Sequence, residues 1–248
     1  MLRYLISGLL LAAGYLHAQS NPTSIPVEDA LTLIVDAHFS TVELSAGSGP
    51  AVEVDHRITV TGKPRPELGK LAVSRDGQRL RITETHPLED DLKSAMTADT
   101  VIISGRKQVG YSDHNIDTRL LVSVPPGLTV HIKTLYGAVE VDDVSGLQAV
   151  ESTYGAVTVT YRAADRADDL VLYSNYGDVD LALPADATAD LELETEHENL
   201  LTDFDIAIDA TASEHRNFFE RIKGTINGGG ARVQCKSPYN NVYLRITR

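Results

Sequence analysis

Tyr136-Gly137-Ala138-Val139-Glu140-Val141 returns as Tyr154-Gly155-Ala156-Val157-Thr158-Val159, and again as Tyr176-Gly177-Asp178-Val179-Asp180-Leu181. The copies start 18 and 22 residues apart, which sets the size of the building block. A unit that short cannot bury its own apolar face, so units must stack on one another. Val139 and Val141 lie two residues apart, as do Val157 and Val159, and Val179 and Leu181. Each pair therefore points to one face of a strand, while Glu140, Thr158 or Asp180 between them faces water. Looser copies stand further out, at Phe39-Ser40-Thr41-Val42-Glu43-Leu44 and at Tyr239-Asn240-Asn241-Val242-Tyr243-Leu244.

Parity places the tyrosines outside. Stacked units would then bring Tyr136, Tyr154 and Tyr176 into a ladder. Gly137, Gly155 and Gly177 share parity with the valines, and a corner with positive φ is the expected reason for glycine there. Asn240 in the last copy fits the same reading, because Asn tolerates the left-handed region.

The rest of the chain reads mostly as strands. Leu31 to Val35, Thr41 to Leu44, Val52 to Val54 and Ile58 to Val60 alternate or are β-branched. Gly47-Ser48-Gly49-Pro50 is a turn, and Asp76-Gly77 between two apolar runs is a hairpin signal. Residues 86–117 break the pattern and read as an insertion, with a helical turn or two near 88–93 and a polar loop over 105–115. Strands resume at Thr118 and turn at Pro125-Pro126-Gly127. With four Phe and no Trp, the interior falls to Val, Ile, Thr and Leu, which suits thin β-layers. The expected fold is all-β: a solenoid-like stack of short strands with an irregular N-terminal cap and a second cap in the tail 213–248. A β-sandwich is the alternative. The expected organisation is a leader at 1–18, a β-rich capping region at 19–117 carrying the 86–117 insertion, and a repeat region at 118–248.

The N-terminus carries Arg3, an apolar run from Tyr4 to Leu16, and Leu16-His17-Ala18 ahead of polar residues. That is the pattern of a secretory signal cut after Ala18. The run is too short to span a bilayer, which takes about 20 residues, and no second run reaches that length. The expected location is outside the cytoplasm: periplasmic, at the cell surface or secreted. A net charge of −13 without a basic patch argues against nucleic acid and anionic lipid as partners. Cys235 is the single cysteine, so it forms no internal disulfide, and its alternating apolar setting reads as a small buried hydrophobe.

Pro125-Pro126-Gly127-Leu128-Thr129-Val130-His131-Ile132, followed by repeated Ser/Thr-x-x-Gly-x-Val-x-Val, resembles the bacterial putative-adhesin β-repeat family, relatives of the auto-transporter adhesin "head GIN" domains. Gly224-Thr225-Ile226-Asn227-Gly228 matches the Gly-x-Ile-Asn-Gly element of that name. The resemblance covers roughly residues 27–248. It implies a right-handed β-solenoid-like fold in an exported protein and assigns no molecular function. Two departures stand out: Tyr in place of a small polar residue before Gly, and the insertion at 86–117.

The candidate binding residues are Tyr136, Tyr154 and Tyr176, whose rings could pack on sugars or simply on one another. Gly137, Val139, Gly155, Val157, Gly177 and Val179 form the structural motif. The Gly224 to Gly230 run lacks the Lys-Ser/Thr and helix of a phosphate loop, so it reads as a tight turn. Two acidic clusters, His86 with Glu89, Asp90 and Asp91, and Glu194 with Glu196, His197 and Glu198, lack a recognised ligand spacing. No metal and no cofactor are expected. Asp178 and Asp180, with Asp142 and Asp143, are the only carboxylates placed for glycoside chemistry. The expected function is a non-catalytic structural or adhesion-type binding module of the cell envelope, with a glycan or an envelope protein as its partner. The alternatives are a sugar-active enzyme using those carboxylates and an envelope-stress accessory that binds a protein.

Overall fold

The computed structural model describes residues 22–85, 99–103, 106–110, 116–163 and 169–247. The leader at 1–18 and His86, Glu89, Asp90 and Asp91 lie outside these residues. The chain is all-β, as expected. Two large mixed sheets, neither closed into a barrel, share one contiguous apolar core, so the sandwich-like description fits.

The repeat supplies the middle of both sheets. Leu147–Ser152 lies in one sheet, the chain turns through Tyr154-Gly155, and Val157–Thr160 lies in the other. The same two-strand rung is built by Thr32–Ala37 with Thr41–Ala46, by Thr129–Thr134 with Val139–Asp142, and by Leu170–Ser174 with Val179–Leu183. Ala231–Ser237 with Val242–Ile246, and Ala189–Thr195 with Leu200–Thr202, are two more. Neighbouring rungs pair in parallel in both sheets, and the two sheets follow one order. Register is strict: Val42, Val139, Val157, Val179 and Val242 align across five strands, with Leu44, Val141, Val159, Leu181 and Leu244 two residues on. All ten are buried. A fully buried Val or Leu contributes about 1.5–3 kcal/mol, so these two inner rows hold the stack together. Cys235 is buried among them, as its setting implied.

Three expectations need correction. The tail does not merely cap the stack. Its rung, 231–246, slides between the rungs 170–183 and 189–202, pairing with both in each sheet. The chain's last rung is therefore an interior one, and 189–202 is the outermost. There Phe219–Ile226 pairs antiparallel with Ala189–Thr195 and closes that sheet with the short strands Ala207–Ile208 and Glu214–Arg216. The N-terminal region is likewise more than a cap, because 32–46 is a full rung against 129–142. Beyond it the expected hairpin of Lys70–Asp76 with Arg79–Thr85 is present, and in the other sheet Ile116–Val124 joins Thr41–Ala46 in parallel and is followed by Ala51–Val60 and Thr23–Pro26, each antiparallel to the strand before it. Finally, Arg106–Gly110, within the stretch 105–115 expected to loop out, is a strand paired with Asp99–Ile103.

Gly224 lies within Phe219–Ile226, and the turn after it holds Asn227, Gly228 and Gly229 at positive φ. Asn227 donates from Nδ2 to the carbonyls of Ala185 and Ala187, at 3.0 and 2.7 Å, which pins the turn. The tight-turn reading of the glycine run holds.

Candidate functional site

Four of the six turns between the two strands of a rung are fixed from inside by a hydroxyl, that of Thr134, Ser174, Thr195 or Ser237; the buried Ser152 hydroxyl makes no such bond, and the first rung has Ala37 at this position. Thr134, Ser152, Ser174, Thr195 and Ser237 end their strands buried, two residues before the ring position. The Ser174 hydroxyl donates to the Gly155 carbonyl of the rung below at 2.8 Å and accepts from the Gly177 N–H at 2.9 Å. Ser237 reaches the Gly177 carbonyl in the same way, at 2.8 Å. Backbone bonds continue through the turns: Tyr154 N–H donates to Leu135 O, and Tyr176 N–H to Thr153 O, each at 2.9 Å. The turns therefore stack at the rung spacing, and whatever side chain follows the hydroxyl residue by two is carried outward in register.

The glycines have a different cause from the expected one. Gly137, Gly155 and Gly177 are not among the residues with positive φ, and neither is Asn240. Glycine is needed because a Cβ at Gly155 would stand 2.0 Å from the Gly137 carbonyl oxygen, and one at Gly137 1.8 Å from that of Ser40. Close approach of one turn's backbone to the next excludes a side chain.

What the turns carry outward is a column of rings. Phe39, Tyr136, Tyr154, Tyr176 and Tyr239 follow one another with centroids 5.4, 5.1, 5.2 and 4.9 Å apart and planes within 17° of parallel. His197 stacks on Tyr239 at 5.0 Å and extends the column to six rings. His38 packs edge-on against Phe39 and Tyr136 at one end, and Phe218 tilts toward His197 at the other. The five larger rings of the column are 42–51 % exposed. The structure thus brings together all three predicted tyrosines and both looser copies. It adds His197, whose signal was the spacing alone: Thr195-x-His197-x-x-Leu200 repeats Ser174-x-Tyr176-x-x-Val179. The hydroxyls of Tyr136, Tyr154, Tyr176 and Tyr239 have no hydrogen-bond partner among the described residues.

The acidic candidates are occupied. Asp178 accepts from the Asn241 N–H at 3.0 Å, and Asp180 pairs with Arg245. Burial raises the Asp180 carboxyl above its ordinary value, against the pull of Arg245. Asp142 pairs with Arg162, and Asp143 accepts the Arg162 N–H at 2.9 Å. Glu194 holds Lys236 at 2.6 Å. Among the described residues no group of three or more His, Cys, Asp and Glu is placed to hold a metal ion.

One cluster had no signal in the sequence. Glu84 Oε2 accepts the N–H groups of His38, Phe39 and Ser40 at 2.7, 3.0 and 3.1 Å, while Oε1 accepts the Ser40 hydroxyl at 2.6 Å. His56 Nε2 lies 3.1 Å from that hydroxyl and 3.4 Å from Oε1. Burial pushes the Glu84 carboxyl up, but the bonds from His56, Ser40 and the backbone outweigh it and bring it down to about 2. Ser, His and Glu are the residue types of a nucleophile triad, yet the arrangement is not one. The carboxylate sits on the serine and on the same imidazole nitrogen, not on His56 Nδ1, and Ser40 is fully buried. The cluster anchors the turn that carries Phe39, the first ring of the column.

No protein-family model matches the chain, and no curated protein does. Among solved structures, the chain is similar to one described as a "putative cell adhesion protein" from Clostridium sporogenes, with a TM-score of 0.56 and 9 % identity over 92 % of this chain and 100 % of that one. At that identity the likeness is one of fold. No helix of the described residues is long and apolar enough to cross a membrane.

Proposed function

We propose that the chain is an exported, non-catalytic β-repeat protein that acts as an adhesion-type binding module of the cell envelope, with the ring column as its contact surface. The observation that carries this reading is the exposure of the rings. Single apolar residues scattered over a surface are ordinary, whereas five large rings in one unbroken, half-exposed row form a patch. Aromatic side chains are also the type enriched where proteins bind partners, since they offer large contact area with few rotatable bonds. The adhesion description of the structural neighbour points the same way. Export rests on the leader, and mass spectrometry of the secreted chain should find Gln19 as its first residue; an intact Met1 would remove that part of the reading.

The test is adherence. Tyr154 sits at the centre of the column with a ring on each face. Labelled protein should bind to whole bacterial cells and to isolated envelope polymers, and Tyr154→Ala should weaken that binding at least tenfold. Losing two exposed stacks costs about 1–2 kcal/mol of stability, so the variant stays folded at 25 °C and circular dichroism should show the same β-spectrum. Undiminished adherence by a folded Tyr154→Ala variant would exclude the column as the contact surface.

A further inference from the structure

We propose that the column takes a neutral, extended, β-linked glycan chain lying along the stack axis, with about one sugar residue to each ring; this rests on the binding-module reading above. The geometry first removes the usual way of holding a sugar. Tyr136, Tyr154, Tyr176 and Tyr239 each have a ring on both faces, so no inner face is free to take a sugar ring flat. What the column offers instead is a strip of ring edges with four phenol hydroxyls that no described residue engages. A hydroxyl both donates and accepts, which suits a ligand covered in hydroxyls.

The spacing then selects the polymer. The rings repeat every 4.9–5.4 Å. An extended polypeptide advances about 3.3 Å per residue and about 6.6 Å per side-chain repeat, so it falls out of step within two rings. An extended β-1,4-linked chain of pyranose sugars advances by close to the ring spacing per residue, so successive sugars meet equivalent hydroxyls. An α-1,4-linked chain coils and leaves the strip after a few residues.

The flanks select for charge. Beside the three central rings stand Leu135 and Ala138, Thr153 and Ala156, and Asn175 and Asp178. The one charged residue, Asp178, is held by Asn241, and no Lys or Arg is among the six. Glu196 and Glu198 flank His197 at the far end. An anionic polymer finds no counter-charge among these flanks of the three central rings, whereas a neutral one loses nothing there.

The experiment is calorimetric titration of the full chain with neutral β-1,4-linked oligosaccharides of two to eight residues, with α-1,4-linked chains and an extended neutral peptide of equal length alongside. Affinity for the β-linked series should rise with length and level off at about six sugars, the number of rings. The triple variant Tyr136→Phe, Tyr154→Phe and Tyr176→Phe keeps the stacking and removes three hydroxyls, and it should lose tenfold or more. Equal affinity for α-linked chains, preference for the peptide, no length dependence, or an unchanged triple variant each overturns the glycan assignment. If the β-linked chains do not bind while adherence to cells still falls in Tyr154→Ala, the glycan assignment alone fails. If neither depends on the tyrosines, the binding-module reading fails with it.

Discussion

Gly155→Ala should destabilise the protein by about 3 kcal/mol or more, although it adds a single methyl group to a residue with ordinary backbone angles. The added carbon would lie 2.0 Å from the Gly137 carbonyl oxygen, 2.4 Å from its carbon and 2.6 Å from the Ala138 nitrogen. All three are backbone atoms, and they belong to a turn fixed from above and below. The Tyr154 N–H is bonded to Leu135 O, and the Ser174 hydroxyl to the Gly155 carbonyl. Neither turn can move away without breaking these bonds and the ring stack outside them. The stack shows what such a move looks like where a side chain is tolerated. Asn240 stands in the glycine position of its rung, and there the Tyr239 N–H bond to Asn175 O lengthens to 3.3 Å and the rings open to 17°. For a chain of this size, about 3 kcal/mol lowers the melting temperature by about 6–12 °C. Gly49→Ala is the matched control: a Cβ there meets nothing within 4 Å, and the effect should stay within about 0.5 kcal/mol. Because the approach relaxes from 2.0 Å at Gly155 to 2.4 Å at Gly177, Gly177→Ala should be the milder of the two. Thermal unfolding of the three variants decides it; a Gly155→Ala protein melting with the Gly49→Ala control would refute the close-approach account.

How much of this was legible in the residues differs from feature to feature, for physical reasons. The inward rows were legible because alternation is local: Val157 and Val159 declare their face without reference to any partner. The outward column followed from parity and period, and even the looser copies at Phe39 and Tyr239 belong to it. His197 was hidden because its rung keeps only the hydroxyl, the ring and the aliphatic position, with Glu198 at the position that Gly137, Gly155 and Gly177 mark in the full copies. The order of the rungs was not legible at all. Ala231–Ser237 pairs with Leu170–Ser174 across about sixty residues, and nothing in a strand's own sequence names a partner that distant. The glycines were recognised but misexplained: glycine serves both a positive φ and a close approach, and only the neighbouring turn tells them apart. Ser40, His56 and Glu84 are each unremarkable alone, and their meeting depends on pairings up to 44 residues apart.

That cluster carries the second large effect. Glu84→Ala should destabilise by about 3–5 kcal/mol, because it strands groups that a folded protein does not leave unpaired. Three N–H groups and the Ser40 hydroxyl all converge on this one carboxylate, in a site where Glu84 and Ser40 are buried. Truncation removes the one acceptor that all four donors share. Glu84→Gln keeps the shape but turns an NH2 toward donors, so it should recover only part of the loss. The pH dependence separates this account from simple loss of packing. The Glu84 carboxyl is lowered from 4.5 to about 2 in the folded protein, so its contribution is fully present above pH 4.5 and is lost as pH falls through about 2. That shift corresponds to roughly 3 kcal/mol by linkage. The stability gap between wild type and Glu84→Gln should therefore close progressively between pH 4.5 and 2. Urea unfolding across that range measures the gap. A gap that stays the same down to pH 2 would mean that the carboxylate's charge does not hold this turn, and that the variant suffers from shape alone.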